Sequence, residues 1–214
     1  MGNWLRRLIA ISVVLVSVMI FGGATAFAEG DFVIDDEGYL RKYTGNDEVV
    51  VIPDTVRIIG DHAFSRNESI VEVVIPEGVT IIGGGAFANC TNLMKVEIPY
   101  GVTTIWDWAF AFCPSLENVE LPDSVTTIWE WAFSRSGIKR IRLSENLESI
   151  ELMTFNYCTS LEEVVIPGSV EYIGERAFNR CTGLKKVVIC EGVTDIKQYA
   201  FQACEGIESL DISG

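Results

Sequence analysis

Apolar residues return along this chain at a nearly constant interval. Aligned phenylalanines stand at Phe64, Phe87, Phe110, Phe133, Phe155, Phe178 and Phe201, in steps of 23 residues with a single step of 22. Upstream of each ring an apolar pair recurs at fixed offset, as in Val56-x-x-Ile59, Val79-x-x-Ile82, Val102-x-x-Ile105 and Val193-x-x-Ile196. Downstream, Leu93-x-x-Val96-x-Ile98 recurs as Leu116-x-x-Val119-x-Leu121 and Leu184-x-x-Val187-x-Ile189. The Val-x-Ile alternation has the two-residue period of a short strand. Pro53, Pro76, Pro99, Pro122 and Pro167 close that segment in five of seven copies, where the missing N–H stops the ladder.

A unit of this length cannot bury its own apolar side and must stack on the next one. The pattern therefore predicts a β-rich leucine-rich repeat solenoid of seven repeats, a right-handed coil with its strands stacked into one parallel sheet. Gly60, Gly83 and Gly174 mark a tight corner. Ala before Phe in six of seven copies marks a close backbone approach beside a large buried ring. Ahead of the repeats, "DFVIDDEGYLRKYTGNDE" has two alternating runs around Asp36-Glu37-Gly38, a hairpin signal. Residues 29–48 are thus expected to cap the first repeat and residues 49–214 to form the solenoid. At the other end, "GIESLDISG" opens an eighth strand with no polar closing unit. The expectation there is continuation as part of a longer protein, pairing of that edge with a partner or a second copy, or shielding by Glu205, Glu208 and Asp211.

"IPEGVTIIGGGAFANCTNL" (75–93) and "IPGSVEYIGERAFNRCTGL" (166–184) carry a further signal. They resemble the repeat of the BspA-like leucine-rich repeat family, roughly IP-x-x-V-x-x-I-G-x-x-A-F-x-x-C-x-x-L. The resemblance covers nearly all of the chain after residue 28. It departs at the Trp residues in the Gly corner, at Ser144 and Cys190 in place of Pro, and at the shortened "SRSG" (134–137). It implies a secreted or surface-displayed binding protein, often an adhesin, and names no ligand.

The N-terminus changes the picture of location. Arg6 and Arg7, an apolar run from Leu8 to Phe21 and the ending Ala26-Phe27-Ala28 read as a secretory signal peptide over residues 1–28, cleaved after Ala28. Its apolar run is shorter than the ~20 residues of a membrane span, so no membrane insertion is expected after cleavage. Cleavage removes two arginines and no acid, leaving 14 basic against 30 acidic residues and a net charge of −16. Such a surface repels nucleic acid and anionic membranes. Cys90, Cys113, Cys158, Cys181 and Cys204 each follow a repeat Phe by three residues, a place held elsewhere by Asn67 and Ser136. That occupancy predicts a ladder of small inward side chains meeting backbone groups, with free thiols rather than disulfides. The spacing converges on no metal site, and no cofactor is expected. The single histidine, His62, lies six rungs from Cys190, nearly 30 Å at ~4.8 Å per rung, which excludes a nucleophile–base pair. His62 reads as a surface residue.

The candidate site comes from a repeated phrase, "TTIWDWAF" at 103–110 and "TTIWEWAF" at 126–133. In register, Trp106 lies over Trp129 and Trp108 over Trp131, with Asp107 and Glu130 between. These offsets hold Gly, His, Glu, Met, Arg, Lys and Tyr in other repeats, so they face outward or are half-buried. The reading is either a stacked brace or an aromatic platform for a glycan or a protein. Asp107 and Glu130 at ~5 Å would also match a retaining glycosidase pair, but a solenoid offers a shallow face without a water-excluding cleft, so no catalytic residue is assigned. A second candidate is the sheet face around Glu97, Glu120, Arg140 and Arg142, where Arg135, Lys139, Arg140 and Arg142 form the one basic cluster. The functional expectation is a non-enzymatic, adhesin-like binding module for a protein or glycan on a cell or host surface. Assembly through the C-terminal edge is the alternative.

Overall fold

The computed structural model describes residues 29–212, so the signal-peptide reading of residues 1–28 lies outside the described residues. A short 3-10 turn, Glu29–Asp31, leads into β1 (Phe32–Ile34), which pairs antiparallel with β2 (Tyr39–Tyr43). From there the chain coils in rungs that each contribute two short strands. The first column holds β4 (Ile58–Ile59), β6 (Ile81–Ile82), β8 (Thr104–Ile105) and β10 (Thr127–Ile128), with β2 at its head. It resumes as β12 (Ser149–Ile150), β14 (Tyr172–Ile173) and β16 (Asp195–Ile196). The second column holds β3 (Val49–Val51), β5 (Glu72–Val74) and β7 (Lys95–Glu97), then β9 (Asn118–Glu120), β11 (Arg140–Arg142), β13 (Glu163–Ile166), β15 (Lys186–Ile189) and β17 (Ser209–Ile212).

One parallel sheet was the expectation; the fold has two columns. The Val-x-x-Ile segment is itself extended and pairs in parallel register, Ile58 with Ile81 and Ile81 with Thr104. The first column breaks between β10 and β12, on either side of the shortened copy. There Gly137 donates its N–H to Cys113 O, and a Cβ on it would lie 1.9 Å from the Pro114 carbonyl. Only glycine lets the backbone close up by one residue at that point.

The repeat spacing has a hydrogen-bond reason. Each of the five strand-closing prolines accepts, at its carbonyl, the N–H of the Val three residues on, as Val79 to Pro76 and Val102 to Pro99, and Leu147 to Ser144 preserves the turn where Pro is absent. A single aromatic column runs through the core, flanked by ladders of Val, Ile and Leu. Phe64, Phe87, Phe110, Phe133, Phe155 and Phe178 are fully buried, with successive ring centroids 4.8–5.5 Å apart. The cap extends it through Tyr43, 5.3 Å from Phe64, and Phe32, 4.9 Å from Tyr43. The cysteines behave as read from their positions. Cys90, Cys113, Cys158, Cys181 and Cys204 each donate S–H to the Phe carbonyl of the preceding repeat at 3.0–3.2 Å, and all six cysteines are free thiols.

Candidate functional site: an aromatic and cationic turn edge

The side chains of interest are displayed by the corner around each Phe. Within it, every second N–H crosses to the next rung: His62 to Gly84 O, Phe64 to Ala86 O and Arg66 to Ala88 O. The N–H groups between them close tight turns, Ala63 to Gly60 O, Ser65 to His62 O and Asn67 to Phe64 O. This alternation requires left-handed backbone two residues before and two residues after each Phe. Thirteen non-glycine residues therefore have φ between 54° and 62°, a conformation that costs ~1–2 kcal/mol each for L side chains. Such strain persists only where the surroundings over-determine it, here through the inter-rung bonds. The outcome is two parallel columns of outward side chains. One runs His62, Gly85, Trp108, Trp131, Met153, Arg176 and Tyr199; the other runs Arg66, Asn89, Phe112, Arg135, Tyr157, Arg180 and Ala203.

The tryptophans form two stacks. Trp106 and Trp129 are each 40% exposed, with centroids 5.1 Å apart and planes within 8°. Trp108 and Trp131 are half-buried, 4.7 Å apart and within 6°. Stacking covers the inner faces, so these rings do not form one flat platform; each stack offers its outer faces and its edges. The Trp106–Trp129 stack occupies the corner offset where Gly83 stands one rung earlier, and a Cβ on Gly83 would lie 2.7 Å from Ile59 O. Beyond Trp129 the same offset carries Glu151, whose carboxylate accepts the Ser149 hydroxyl at 2.7 Å and the Tyr172 phenol. Burial and then that carboxylate raise the Tyr172 pKa. Asp107 and Glu130 are exposed and form no ion pair among the described residues.

The side-chain column that runs from Arg66 to Ala203 was missed in the sequence, because its members look variable until aligned by the repeat. Phe112 stands 6.0 Å from Trp108 with planes within 6°, extending the aromatic surface sideways. Arg135 lies over Phe112 at 5.6 Å and over Tyr157 at 4.6 Å, and Arg180 lies over Tyr157 at 5.2 Å. Aromatic ring and guanidinium alternate along four rungs, a geometry worth about 0.5–1 kcal/mol per contact at an exposed site. Where Gly85 and Asn89 occupy the two columns the ridge is interrupted by an open recess of about 490 Å³, lined by His62, Ser65, Arg66, Ala88, Asn89, Trp108 and Phe112.

The sheet-face candidates are arranged differently. Glu97 pairs with Lys95, which also reaches Glu72, both at 2.8 Å. Arg142 donates to Asp123 at 2.8 Å and to Leu121 O at 2.7 Å. Lys139 pairs with Glu117 and Lys186 with Glu163. Glu120 and Arg140 are exposed, each on a strand of the second column, with no ion pair among the described residues. The four-residue basic cluster is therefore divided: Arg135 belongs to the turn edge, and two of the other three are neutralised by acids of the preceding rung.

A family model described as BspA type leucine rich repeat region matches residues 39–159 and 80–208, in six copies. Among solved structures, the chain is similar to a leucine-rich repeat protein from Bacteroides ovatus, with 30% identity and a TM-score of 0.74, over 86% of this chain and 53% of that one. It is also similar to the T. pallidum leucine rich repeat protein, with 27% identity and a TM-score of 0.58, over 84% of this chain and 78% of that one. The pneumococcal vaccine antigen PcpA shares the fold at 20% identity and a TM-score of 0.55, over 85% of this chain and 54% of that one. The chain thus spans about half the length of the Bacteroides ovatus protein, 53% of it. No curated protein matches it.

Proposed function

The chain belongs to the BspA type leucine-rich repeat family, and from that premise we propose that it is a secreted or cell-surface, non-enzymatic binding module that recognises a glycan through its tryptophan-bearing turn edge. The observation that carries this reading is the Trp106–Trp129 stack, 40% exposed at each ring. Two large rings left partly exposed side by side form an apolar patch rimmed by carboxylates, a surface suited to binding. The export signal at residues 1–28 supports an extracellular location. Asp107 and Glu130 lie exposed at the corner, where water reaches both carboxylates, which favours binding over glycoside hydrolysis. The sheet face is the weaker candidate, because Glu97 and Arg142 already satisfy each other's kind within the molecule.

Removal of the signal peptide takes Trp4 away, so all remaining tryptophan emission comes from the four corner rings. Red-shifted emission quenched by acrylamide, and protected when a glycan binds, is the expected result. Glycan binding that is unchanged in a folded Trp106→Ala, Trp129→Ala double variant would remove the stack from the site.

A second reading has its own observation. All four residues of β17 are exposed, Leu210 by 58% and Ile212 by 65%, although they continue a column whose Val187 and Ile189 are core. Association of two copies through this edge predicts a mass that rises with concentration in light scattering and reverts to monomer in Leu210→Lys. A strict monomer at millimolar concentration counts against it.

A further inference from the structure

The recess between His62/Arg66 and Trp108/Phe112 has a shape set by one missing rung. Neighbouring rungs of a parallel column lie ~4.8 Å apart, and along most of the ridge each outward position is filled at that spacing. Trp108 meets Trp131 at 4.7 Å and Arg135 meets Tyr157 at 4.6 Å. One rung before Trp108 the side chain is only Gly85, and one rung before Phe112 it is Asn89. The backbones of the two walls are therefore two rungs apart, ~9.6 Å, which leaves open the face of Trp108 that looks toward Gly85. The volume of about 490 Å³ falls in the ~300–1,000 Å³ range of small-ligand sites. On the far wall His62 leans toward the gap, its Nδ1 2.5 Å from where a Cβ on Gly85 would stand.

The two walls differ in chemistry. Trp108 and Phe112 have planes within 6° of each other and act as one apolar wall. Opposite them stands Arg66, exposed, whose guanidinium makes no ion pair, hydrogen bond or ring contact among the described residues. Seven of the fourteen described Lys and Arg residues pair with a carboxylate, and Arg66 is among those that do not, so its fork is open to a ligand. Its column mates Arg135 and Arg180 lie over aromatic rings, whereas the place next to Arg66 holds only Asn89. A guanidinium presents a planar fork that matches one carboxylate. The Asn89 amide is available for hydroxyl groups; the Ser65 hydroxyl is already donated to Ala88 O at 3.2 Å. Polyanions are disfavoured by the net charge of −16 left after residues 1–28 are removed.

We infer that this recess binds a carboxylate-bearing sugar residue, such as a uronic acid within a glycan, its ring against Trp108 and Phe112 and its carboxylate on Arg66. This assignment rests on the turn edge being the glycan-binding surface and adds the chemical class of one residue in the glycan. Arg66 sets the preference for acid, and the two rings supply the part of the affinity that is blind to charge.

The test uses the secreted chain and two oligosaccharides of equal length, one ending in glucuronic acid and one in glucose, titrated by calorimetry. The acidic probe is expected to bind about tenfold tighter, the worth of one charge-assisted pair. Arg66→Gln should erase that difference, bringing the acidic probe down to the affinity of the neutral one; Trp108→Ala should weaken both. Circular dichroism identifies any variant that fails to fold, and Arg66→Gly serves in place of Arg66→Gln, since glycine accepts the φ of 62° at that position. Equal affinity for the two probes, lost in Trp108→Ala and untouched by Arg66→Gln, overturns the acidic-sugar assignment and leaves the turn-edge reading standing. Failure of both probes to bind the wild type overturns the two together. Benzoate binding more tightly than the uronic acid probe would overturn the sugar and keep the carboxylate.

Discussion

At the scale of single residues, the corner strain and the thiol ladder make separate predictions. Ala203 has φ 56° and no side chain beyond Cβ to contribute at the ridge. Ala203→Gly relieves left-handed strain of ~1–2 kcal/mol, partly offset by the entropy of glycine, so a net gain of about 0.5–1 kcal/mol is expected in urea denaturation. A loss would mean that the corner is not strained there. Burial pushes the Cys90 thiol up to about 12 and the Cys158 thiol up to about 11 from an ordinary 9.0. A raised folded pKa means that the neutral thiol's contribution is complete below pH 9 and is lost as pH rises through about 11 to 12. The urea midpoint should hold up to pH 9 and then fall, less steeply in Cys90→Ala. Native alkylation at pH 8 should reach Cys190 and Cys204, which are partly exposed, while Cys90, Cys113, Cys158 and Cys181 react only after unfolding.

At the scale of the element, each rung is held by the ring beneath its corner and by the backbone approach at its ends. Phe110 is fully buried between Phe87 at 5.2 Å and Phe133 at 5.3 Å, in the rung that carries Trp106 and Trp108. Phe110→Ala should cost about 3–5 kcal/mol through lost burial and the cavity left behind. It should also loosen the tryptophans above it, visible as a red shift in their emission. Gly137→Ala forces a methyl against the Pro114 carbonyl, where a Cβ would lie at 1.9 Å. A loss of about 2 kcal/mol or more is expected from its thermal unfolding, and a neutral result would show that the shortened corner can open.

The whole molecule is a one-dimensional stack in which each rung is covered on both sides except at the ends. The N-terminal end is closed by the hairpin, whose Tyr43 and Phe32 continue the aromatic column. The C-terminal end differs: Ile196 is 48% exposed and Tyr199 49%, where Ile173 is fully buried. Amide hydrogen exchange should therefore be fastest over residues 191–212 and slowest in the rungs from Phe87 to Phe178, with protection rising inward from the C-terminal end. Uniform protection would mean that the rungs open only together.

Repeat length, solenoid class, the inward Phe, the thiol ladder and the outward placement of the tryptophans were all legible in the sequence. A side chain that recurs every 23 residues reports its own environment by what can replace it. Cys, Asn and Ser exchange at a small buried polar place; Gly, Trp, Glu and Lys exchange only at an open one. What the sequence did not disclose was decided between rungs. The second strand column and the left-handed corner exist because N–H groups find carbonyls one repeat away, and local propensity argues against thirteen non-glycine residues adopting that φ. The stacking that turns the tryptophans edge-on, the Phe112–Arg135–Tyr157–Arg180 ridge and the recess over Gly85 all depend on residues about 23 positions apart standing within 6 Å of each other. Sequence fixes which side chains share a column; only the tertiary register decides what each one meets across the rung, and so where a gap is left for a ligand.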